Sequence, residues 1–231
     1  WQFGPAIQQA FGQIKQHLDP LNLLSPNRMV NPPKMDDTSL MRFGNNYKII
    51  PIQTALDWSA WNVHNDAATE QTTAPGTGQD PAQGLAKAVE MCNNNGTCRK
   101  FDAGTMCPSF RVTRDEVHAT RGRANTLRLA LSGQLQGGLE SPEVKEAMDL
   151  CVGCKGCKRD CPTGVDMARM KIETTHQYKS KHGFTLKDRL IAHLPRYAHL
   201  AAPFSGLLNL RNSMPWLAQV AENFTGLSAK R

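Results

Sequence analysis

Four cysteines crowded into one short segment restrict the fold of this chain more than any other feature. Cys151, Cys154, Cys157 and Cys161 are separated by two, two and three residues, and Pro162 follows the last of them. A cubane iron–sulfur cluster takes one thiolate on each of its corner irons, and two-residue gaps let one loop bring three thiolates to one cube. The spacing therefore predicts a [4Fe-4S] cluster bound by the first three cysteines, with Gly153 between them where the backbone must come close to the sulfides.

The last cysteine of the run implies a further set of ligands elsewhere in the chain. In two-cluster ferredoxins with this spacing, the fourth cysteine ligates the other cluster. Cys92, Cys98 and Cys107 occur earlier in the chain, and Cys107 also precedes a proline. We therefore predict crossed ligation, with a complete ligand set made of Cys107, Cys151, Cys154 and Cys157.

The second ligand set is one thiolate short. Cys92, Cys98 and Cys161 remain for it, and Asn95 stands where the first motif of helical ferredoxins has its second cysteine. Three outcomes stay open: a [4Fe-4S] cluster whose fourth iron is bound by Asn95, Asp102, water or a histidine; a three-iron cluster; or structural cysteines without a cluster. Because an amide is a poor iron ligand beside thiolate, we do not expect Asn95 to bind iron directly.

Other uses of the cysteines fit the sequence less well. A disulfide framework would not crowd four cysteines into eleven residues, and no secretory signal is evident. Zinc sites favour two separated cysteine pairs.

The net charge of +7 is spread along the sequence without a basic block, which favours a solvated surface. No apolar run approaches the length of a membrane span. We therefore expect a reducing, cytoplasmic environment.

Helical patterns dominate on both sides of the cysteine loops. A mainly α fold is predicted, in which helix ends hold the metal as in helical ferredoxins. Predicted helices cover residues 4–18, 85–90, 113–133, 141–150 and 166–181, and two or three more follow within 185–231, broken at Pro195, Pro203 and Pro215. Thr113 to Glu116 matches a capping box at the third helix. Residues 49–52 favour a short edge strand, and residues 69–83 a linker or surface loop.

Basic residues occur in two places where they could act on a cluster. Arg121 and Arg123 lie in a predicted helix, and Lys155, Lys158 and Arg159 lie in the cysteine run. Positive charge near a cluster stabilises its reduced form and raises its potential. The alternative for the two arginines is an exposed or salt-bridged pair of little consequence.

Two residues of the connecting region could touch a cofactor. Trp58 lies in the polar and aromatic stretch DWSAW, and His64 follows it. We predict that Trp58 is a buried anchor, with packing against a flavin or cluster as the alternative. A lone histidine such as His64 is predicted to be structural.

Several stretches resemble a known family. They are RDEVHATRGRANTLRLA at 114–130 and MDLCVGCKGCKRDCPTGVDMARMK at 148–171. Both resemble the middle of large FAD- and iron–sulfur-containing 2-hydroxyacid dehydrogenases, a family that includes bacterial D-2-hydroxyglutarate dehydrogenases and FAD-linked oxidases. The stretch from Asp19 to Pro33 resembles the closing segment of FAD-linked oxidases of the vanillyl-alcohol oxidase type.

The resemblance implies four segments. They are the end of an FAD-linked oxidase domain (1–34), an irregular connector (35–84), a helical ferredoxin iron–sulfur domain (85–183) and trailing helices (184–231). It also implies FAD in an upstream part of the same polypeptide. The chain begins at Trp1 rather than Met, and we expect it to be a piece of that longer protein. No catalytic or flavin-binding residue carries over; only the seven cysteines do, as metal ligands.

The implied function is an electron relay. A flavin would oxidise a D-2-hydroxyacid, with D-2-hydroxyglutarate the first choice, and electrons would pass through the clusters to a quinone or a redox protein. Peripheral contact with the inner membrane and a homo-oligomer stay open. Two alternatives remain: an iron–sulfur subunit of a respiratory or heterodisulfide-reductase-like complex without its own flavin, and a nucleic-acid-binding protein with a structural cluster. Residues 1–34 argue against the first, and only charge suggests the second, so we expect no nucleic-acid partner.

Overall fold

The structure is a computed structural model that describes residues 3–37, 39, 47–62, 73–102, 104 and 106–229. Within these ranges the regular structure is helical and no strand occurs, which confirms the predicted mainly α class. The chain forms two compact units, residues 1–47 and 48–231, and each is described by itself. His64 lies outside the described residues, and the four-segment division of the chain stays a prediction.

The first unit contains helix α1, Pro5–Leu18, as predicted. The helix ends at Asp19 because Pro20 cannot continue it. The Asp19 carboxylate accepts hydrogen bonds from the backbone N–H groups of Leu23 (2.9 Å) and Leu24 (2.8 Å), which fixes the turn that follows. No residue of α1 is buried, so its predicted apolar side is exposed.

The second unit contains the other helices. Those around the cysteine loops are α2 (Leu85–Glu90), α3 (Pro108–Thr113), α4 (Thr120–Leu131), α5 (Pro142–Asp149), α6 (Gly156–Asp160) and α7 (Met167–His182). Helices α2, α4, α5 and α7 pack on one another, and α4 contacts the other three. Their shared core is made of aliphatic side chains that are almost fully buried, among them Leu127, Leu131, Val144 and Met170.

The two helices that flank the cysteine run begin where the sequence indicates. Ser141 caps α5 by accepting a hydrogen bond from the N–H of Val144 (3.3 Å), and Pro142 occupies the first turn. Asp166 caps α7 by accepting from the N–H of Arg169 (3.1 Å). Both predicted starts are confirmed, and together they fix the two ends of the loop between these helices.

The single helix predicted over residues 113–133 is wrong. Thr113 is the last residue of α3, and Arg114 adopts a left-handed conformation (φ +61°) that breaks the helix. A short 3₁₀ turn, Glu116–His118, follows, and Asp115 rather than Thr113 caps it by accepting from the Val117 N–H (3.0 Å). Helix α4 therefore starts later than expected, at Thr120.

The short strand predicted in the connecting region is also wrong. Residues 49–52 form no strand, although Ile50 donates a backbone hydrogen bond to the Leu131 carbonyl (2.8 Å). The described part of the predicted linker or surface loop, 73–83, forms turns without a helix or strand, and these turns are organised around buried Asp80. The Asp80 carboxylate accepts from the N–H groups of Gly76 (2.9 Å), Ala82 (2.9 Å) and Gly84 (3.1 Å), so one side chain closes the whole turn.

The predicted anchoring role of Trp58 is confirmed. Its side chain is 1% exposed, and its indole N–H donates to Glu173 of α7 (3.2 Å). The same carboxylate accepts from the backbone N–H groups of Ala55 (2.9 Å) and Leu56 (3.0 Å). A single buried acid of α7 therefore ties the irregular segment before α2 to the helical core.

Four helices lie in residues 186–225, one more than the upper estimate. They are α8 (Leu186–Ala192), α9 (Leu194–Ala201), α10 (Ser205–Ser213) and α11 (Pro215–Thr225). Pro195 and Pro215 lie in the first turns of α9 and α11, where proline starts a helix rather than breaking one. Within the described part of the chain, every helix is too short or too polar to span a bilayer.

Gly122 of α4 provides a test of this packing. A Cβ built on Gly122 would lie 2.0 Å from the backbone oxygen of Glu116, so the 3₁₀ turn rests directly on the helix. Alanine is the better helix former by about 1 kcal/mol. We nevertheless expect Gly122→Ala to lower the free energy of unfolding by roughly 1–3 kcal/mol, because the clash involves backbone that cannot rotate away.

Thermal unfolding followed by circular dichroism measures this effect. The matched control is Gly206→Ala in α10, where an added Cβ would meet no atom within 4 Å. The control should be neutral or slightly stabilising. Equal stability of the Gly122→Ala variant and the wild type would show that the turn does not rest on α4.

Candidate iron–sulfur site

Two loops that are remote in sequence meet at one cavity. Cys107, immediately before α3, lines it together with Cys151 and Cys154 from the loop between α5 and α6 and Cys157 from the first turn of α6. The space among these side chains is about 310 Å³ when open solvent is included, and about 20 Å³ of it has room for a water-sized molecule. Cys107 and Cys157 are buried, Cys151 is half-buried and Cys154 is exposed, so the site has one side at the surface.

The loop from residue 151 to 157 is wound tightly by two left-handed residues. Gly153 has φ +64° and Lys155 has φ +58°. The backbone conformation is one reason for glycine at 153, because φ in this region is unstrained only for glycine. The close approach of its backbone to the sulfides stays a prediction. Lys171 of α7 also holds the start of the loop by donating to the Cys151 carbonyl.

Helix N-termini point their N–H groups at the cysteine sulfurs. At the start of α4, the Thr120 N–H donates to Cys107 Sγ (3.0 Å) and the Arg121 N–H to Cys98 Sγ (3.4 Å). The Thr120 hydroxyl also contacts Cys107 Sγ (2.9 Å). At the start of α7, backbone N–H groups donate to Cys157. The first N–H groups of a helix lack partners within the helix and carry its positive dipole end, so they stabilise thiolates.

The thiol pKa values reflect this crowding. A hydrogen bond shared with Cys107 lowers the pKa of Cys98 to about 7, and the same bond, together with burial, raises the pKa of Cys107. Burial raises the pKa of Cys157 against the opposing effect of the N–H groups of α7, and the charges of Cys107 and Cys151 add to the rise. Cys107 is therefore near both Cys98 and Cys157.

The remaining cysteines, Cys92, Cys98 and Cys161, do not line this cavity. Cys92 and Cys98 are buried and near enough for the Cys92 charge to affect the pKa of Cys98. Cys161 follows α6, and its sulfur contacts the Thr163 hydroxyl (3.3 Å). The exposed Asn95 side chain serves its own loop, since its carbonyl oxygen accepts from the Thr97 N–H (2.8 Å).

The two arginines of α4 behave differently. Arg121 is paired with Glu116 (2.7 Å), which matches the salt-bridged alternative. Arg123 is 2% exposed and lines the cavity of the four cysteines. It donates to the Ala147 carbonyl (2.7 Å) and to the Ser109 hydroxyl (2.9 Å). Arg123 thus places a buried cation at the cysteine site.

The basic residues of the cysteine run lie on the exposed side of the site. The ammonium groups of Lys155 and Lys158 lie 3.4 and 3.5 Å from the same carboxylate oxygen of Asp166. Arg159 pairs with its neighbour Asp160 (2.8 Å). Cys154 therefore reaches the surface beside a rim in which three cations meet two carboxylates.

The chemistry of the cavity fits a cubane cluster. A [4Fe-4S] core bound by four thiolates carries net negative charge and takes one thiolate on each iron. The cavity offers four sulfurs, N–H donors to two of them and one buried guanidinium. Among the described residues, no three His, Cys, Asp or Glu side chains converge as the ligands of a single metal ion.

Sequence reasoning missed three residues that build this region. Thr120 binds the sulfur of Cys107, Asp80 closes the turn before α2, and Glu173 anchors the segment before it. For Glu173 a signal was present, since it follows Met170 by three residues and so lies on the buried side of α7. An acid on a buried helix face indicates a specific set of donors.

Comparison with known proteins defines the class. Residues 88–165 match the family described as a 4Fe-4S dicluster domain. With the cysteine loops that meet between helix ends, this match supports the predicted iron–sulfur portion of the chain. No solved structure matches the chain.

The relatives identify the kind of protein in which such a segment occurs. A D-2-hydroxyglutarate dehydrogenase of Pantoea ananatis is 26% identical over 97% of this chain and 23% of its own length, and the Escherichia coli protein of the same name gives the same values. A probable glycolate oxidase iron-sulfur subunit of Bacillus subtilis is 30% identical over 33% of this chain and 17% of its own length. The predicted resemblance is confirmed, and the chain spans about a quarter of the dehydrogenases it matches.

Proposed function

We propose that this chain is the electron relay of an FAD-dependent D-2-hydroxyacid dehydrogenase, with D-2-hydroxyglutarate as substrate. The similarity to two dehydrogenases of that name along 97% of the chain supports the substrate. A flavin held by another part of the same polypeptide would deliver the electrons. The catalytic residues and most of the flavin site would belong to that part.

The proposed complete cluster is bound by Cys107, Cys151, Cys154 and Cys157. The single observation that carries this assignment is that these four side chains line one cavity although they come from two loops. When bound, such a cluster accepts and releases one electron at a time. The chain's part is to hold the ligands, to donate N–H groups from α4 and α7 to the sulfurs, and to keep water from all but one side.

A second cluster is proposed with Cys92, Cys98 and Cys161 as ligands. The match to a dicluster family supports it, and the buried pair Cys92 and Cys98 supplies two of the thiolates. Asn95 is not proposed as the fourth ligand, because both polar atoms of its side chain already bind within the loop. Water or another group would complete the set.

Electrons are proposed to enter or leave beside Cys154, the exposed member of the complete set. The basic rim there would favour an anionic acceptor surface, since charges within about 8 Å act on each other at physiological salt. The acceptor, a quinone or a redox protein, stays a prediction, as do the cytoplasmic location and a peripheral membrane contact.

The similarity to a glycolate oxidase iron-sulfur subunit favours a second candidate, a relay whose flavin lies in a separate subunit. That similarity covers a third of the chain, whereas the dehydrogenases cover nearly all of it, including the residues before the cysteine loops. The arrangement within one polypeptide is therefore preferred.

Substrate-driven reduction tests the proposal. The full-length protein, purified without oxygen, is mixed with D-2-hydroxyglutarate, and EPR at low temperature follows the clusters. We expect the reduced-cluster signal to appear with the D-enantiomer and to stay absent with the L-enantiomer. Iron and sulfide analysis on the same sample should give roughly four irons for one cluster and seven or eight for two.

The outcomes separate the parts of the proposal. Reduction by glycolate instead of D-2-hydroxyglutarate would overturn the substrate but keep the relay. Cluster reduction only after addition of a separate flavoprotein would favour the second candidate. Protein that is colourless and free of iron, or that contains zinc alone, would contradict the relay altogether.

A further inference from the structure

We propose that the buried guanidinium of Arg123 raises the reduction potential of the cluster at Cys107, Cys151, Cys154 and Cys157. This inference rests on the proposed function. Arg123 is not a ligand. It acts as a fixed positive charge that favours the reduced, more negative form of the cluster.

Burial makes this charge effective. Arg123 is 2% exposed, so little water screens it from the cavity that it lines. Charges in such surroundings interact several times more strongly than charges at the surface. By contrast, the exposed fractions of the Lys155 and Lys158 side chains are 59% and 61%, and both share the Asp166 carboxylate. The rim lysines should therefore contribute less to the potential.

The partners of Arg123 hold it in place without neutralising it. They are the carbonyl of Ala147 and the hydroxyl of Ser109, both uncharged. Among the described residues, no carboxylate lies within salt-bridge distance of the Arg123 guanidinium. By contrast, the guanidinium of Arg121 pairs with Glu116, and that of Arg128 pairs with Glu90. Burying a cation without a counter-charge costs desolvation free energy, which destabilises the fold. An anionic group in the adjacent cavity would offset that cost.

Potentiometric titration of the full-length protein, followed by EPR, tests the inference. The signal to follow is the one lost in Cys154→Ala. We expect Arg123→Gln to lower the equilibrium constant for reduction at least tenfold, a shift of about 59 mV to lower potential for one electron. Arg123→Lys keeps the charge and should retain most of the wild-type potential.

The control is Arg121→Gln, which removes the neighbouring cation that is already paired with Glu116. Arg121→Gln should change the reduction potential of the same cluster less than Arg123→Gln does. Equal potentials in wild type, Arg123→Gln and Arg123→Lys would overturn the inference and leave the relay intact. A wild-type protein without the Cys154-dependent signal would instead overturn the proposed function.

If Arg123→Gln loses the cluster and its potential cannot be measured, the iron content of Arg123→Lys decides whether the charge of Arg123 is required. Retention of iron in Arg123→Lys would support a requirement for the charge itself. Loss of iron in both variants, with the same fall in melting temperature, would show that the bonds to Ser109 and Ala147 matter and the charge does not.

Discussion

Replacement of Cys107 by alanine is expected to abolish the cluster signal that also depends on Cys154, although the two residues lie in different loops. Cys107 lines the same cavity as Cys151, Cys154 and Cys157, so its loss leaves one iron of the proposed cube without a thiolate. Iron content should fall by roughly four per chain if the site empties. Anaerobic iron and sulfide analysis with EPR of the reduced protein measures both effects.

The matched control is Cys161→Ala. Cys161 follows Cys157 closely in sequence, yet it does not line the cavity of the complete site. Under crossed ligation this variant should keep the Cys154-dependent signal and alter only the second site. The reverse result, with the signal lost in Cys161→Ala and kept in Cys107→Ala, would mean that one loop supplies all four ligands.

Cys107 is the sharpest choice for this experiment because it lies between the two groups of cysteines. It shares a hydrogen bond with Cys98, and its charge also affects the pKa of Cys157. Thr120 fixes its sulfur through both N–H and hydroxyl. A serine at position 120 would keep both contacts, so Thr120→Ser should leave the cluster in place and serve as a second control.

Much of the site could be predicted because its information is local. The spacing of Cys151, Cys154 and Cys157 describes one loop around one cube, and Ser141 and Asp166 mark the flanking helix starts within three residues of their partners. Such signals depend on short-range geometry, which a sequence records directly. The crossing of Cys107 to the other loop came from a known ligation pattern rather than from local geometry.

The features that could not be predicted depend on contacts between distant segments. The break at Arg114 follows from the docking of a 3₁₀ turn on Gly122, which replaces the favourable helix expected from residue 113 onward. The composition around Asp80 predicts a loop, but it does not show that the buried Asp80 carboxylate orders the turns of that loop. Composition does not reveal which polar side chain will collect backbone donors.

Replacement of Glu173 by alanine is expected to destabilise the fold more than any other substitution of a residue that does not touch the cluster cavity. The carboxylate accepts hydrogen bonds from Ala55, Leu56 and the indole of Trp58, all in a segment far away in sequence. The Trp58 indole is buried, and a buried donor left without a partner costs about 1–3 kcal/mol, whereas the Ala55 and Leu56 N–H groups lie nearer to water. We expect a loss of about 2–4 kcal/mol, or a fall in melting temperature of roughly 10 °C.

The matched control is Glu146→Ala on the exposed face of α5, which should change stability by less than about 0.5 kcal/mol. Circular dichroism of metal-loaded protein at neutral pH measures both variants. If Glu173→Ala has the same melting temperature as Glu146→Ala, the segment that contains Ala55 and Trp58 is held by its apolar contacts and not by the Glu173 carboxylate.

The pH dependence of the same carboxylate gives an independent check. Burial alone would raise the pKa of Glu173, but hydrogen bonds from Ala55, Gln177 and Leu56 outweigh it and hold the pKa below its ordinary value of 4.5. A lowered pKa in the folded state means that the stabilisation is complete above about pH 4.5 and is lost as pH falls through the folded-state value. The stability gap between wild type and Glu173→Gln should therefore stay constant from pH 8 to about pH 6 and narrow below pH 4.5. A gap that widened on acidification would mean that Glu173 is protonated in the folded protein, and the donors around it would then need another explanation.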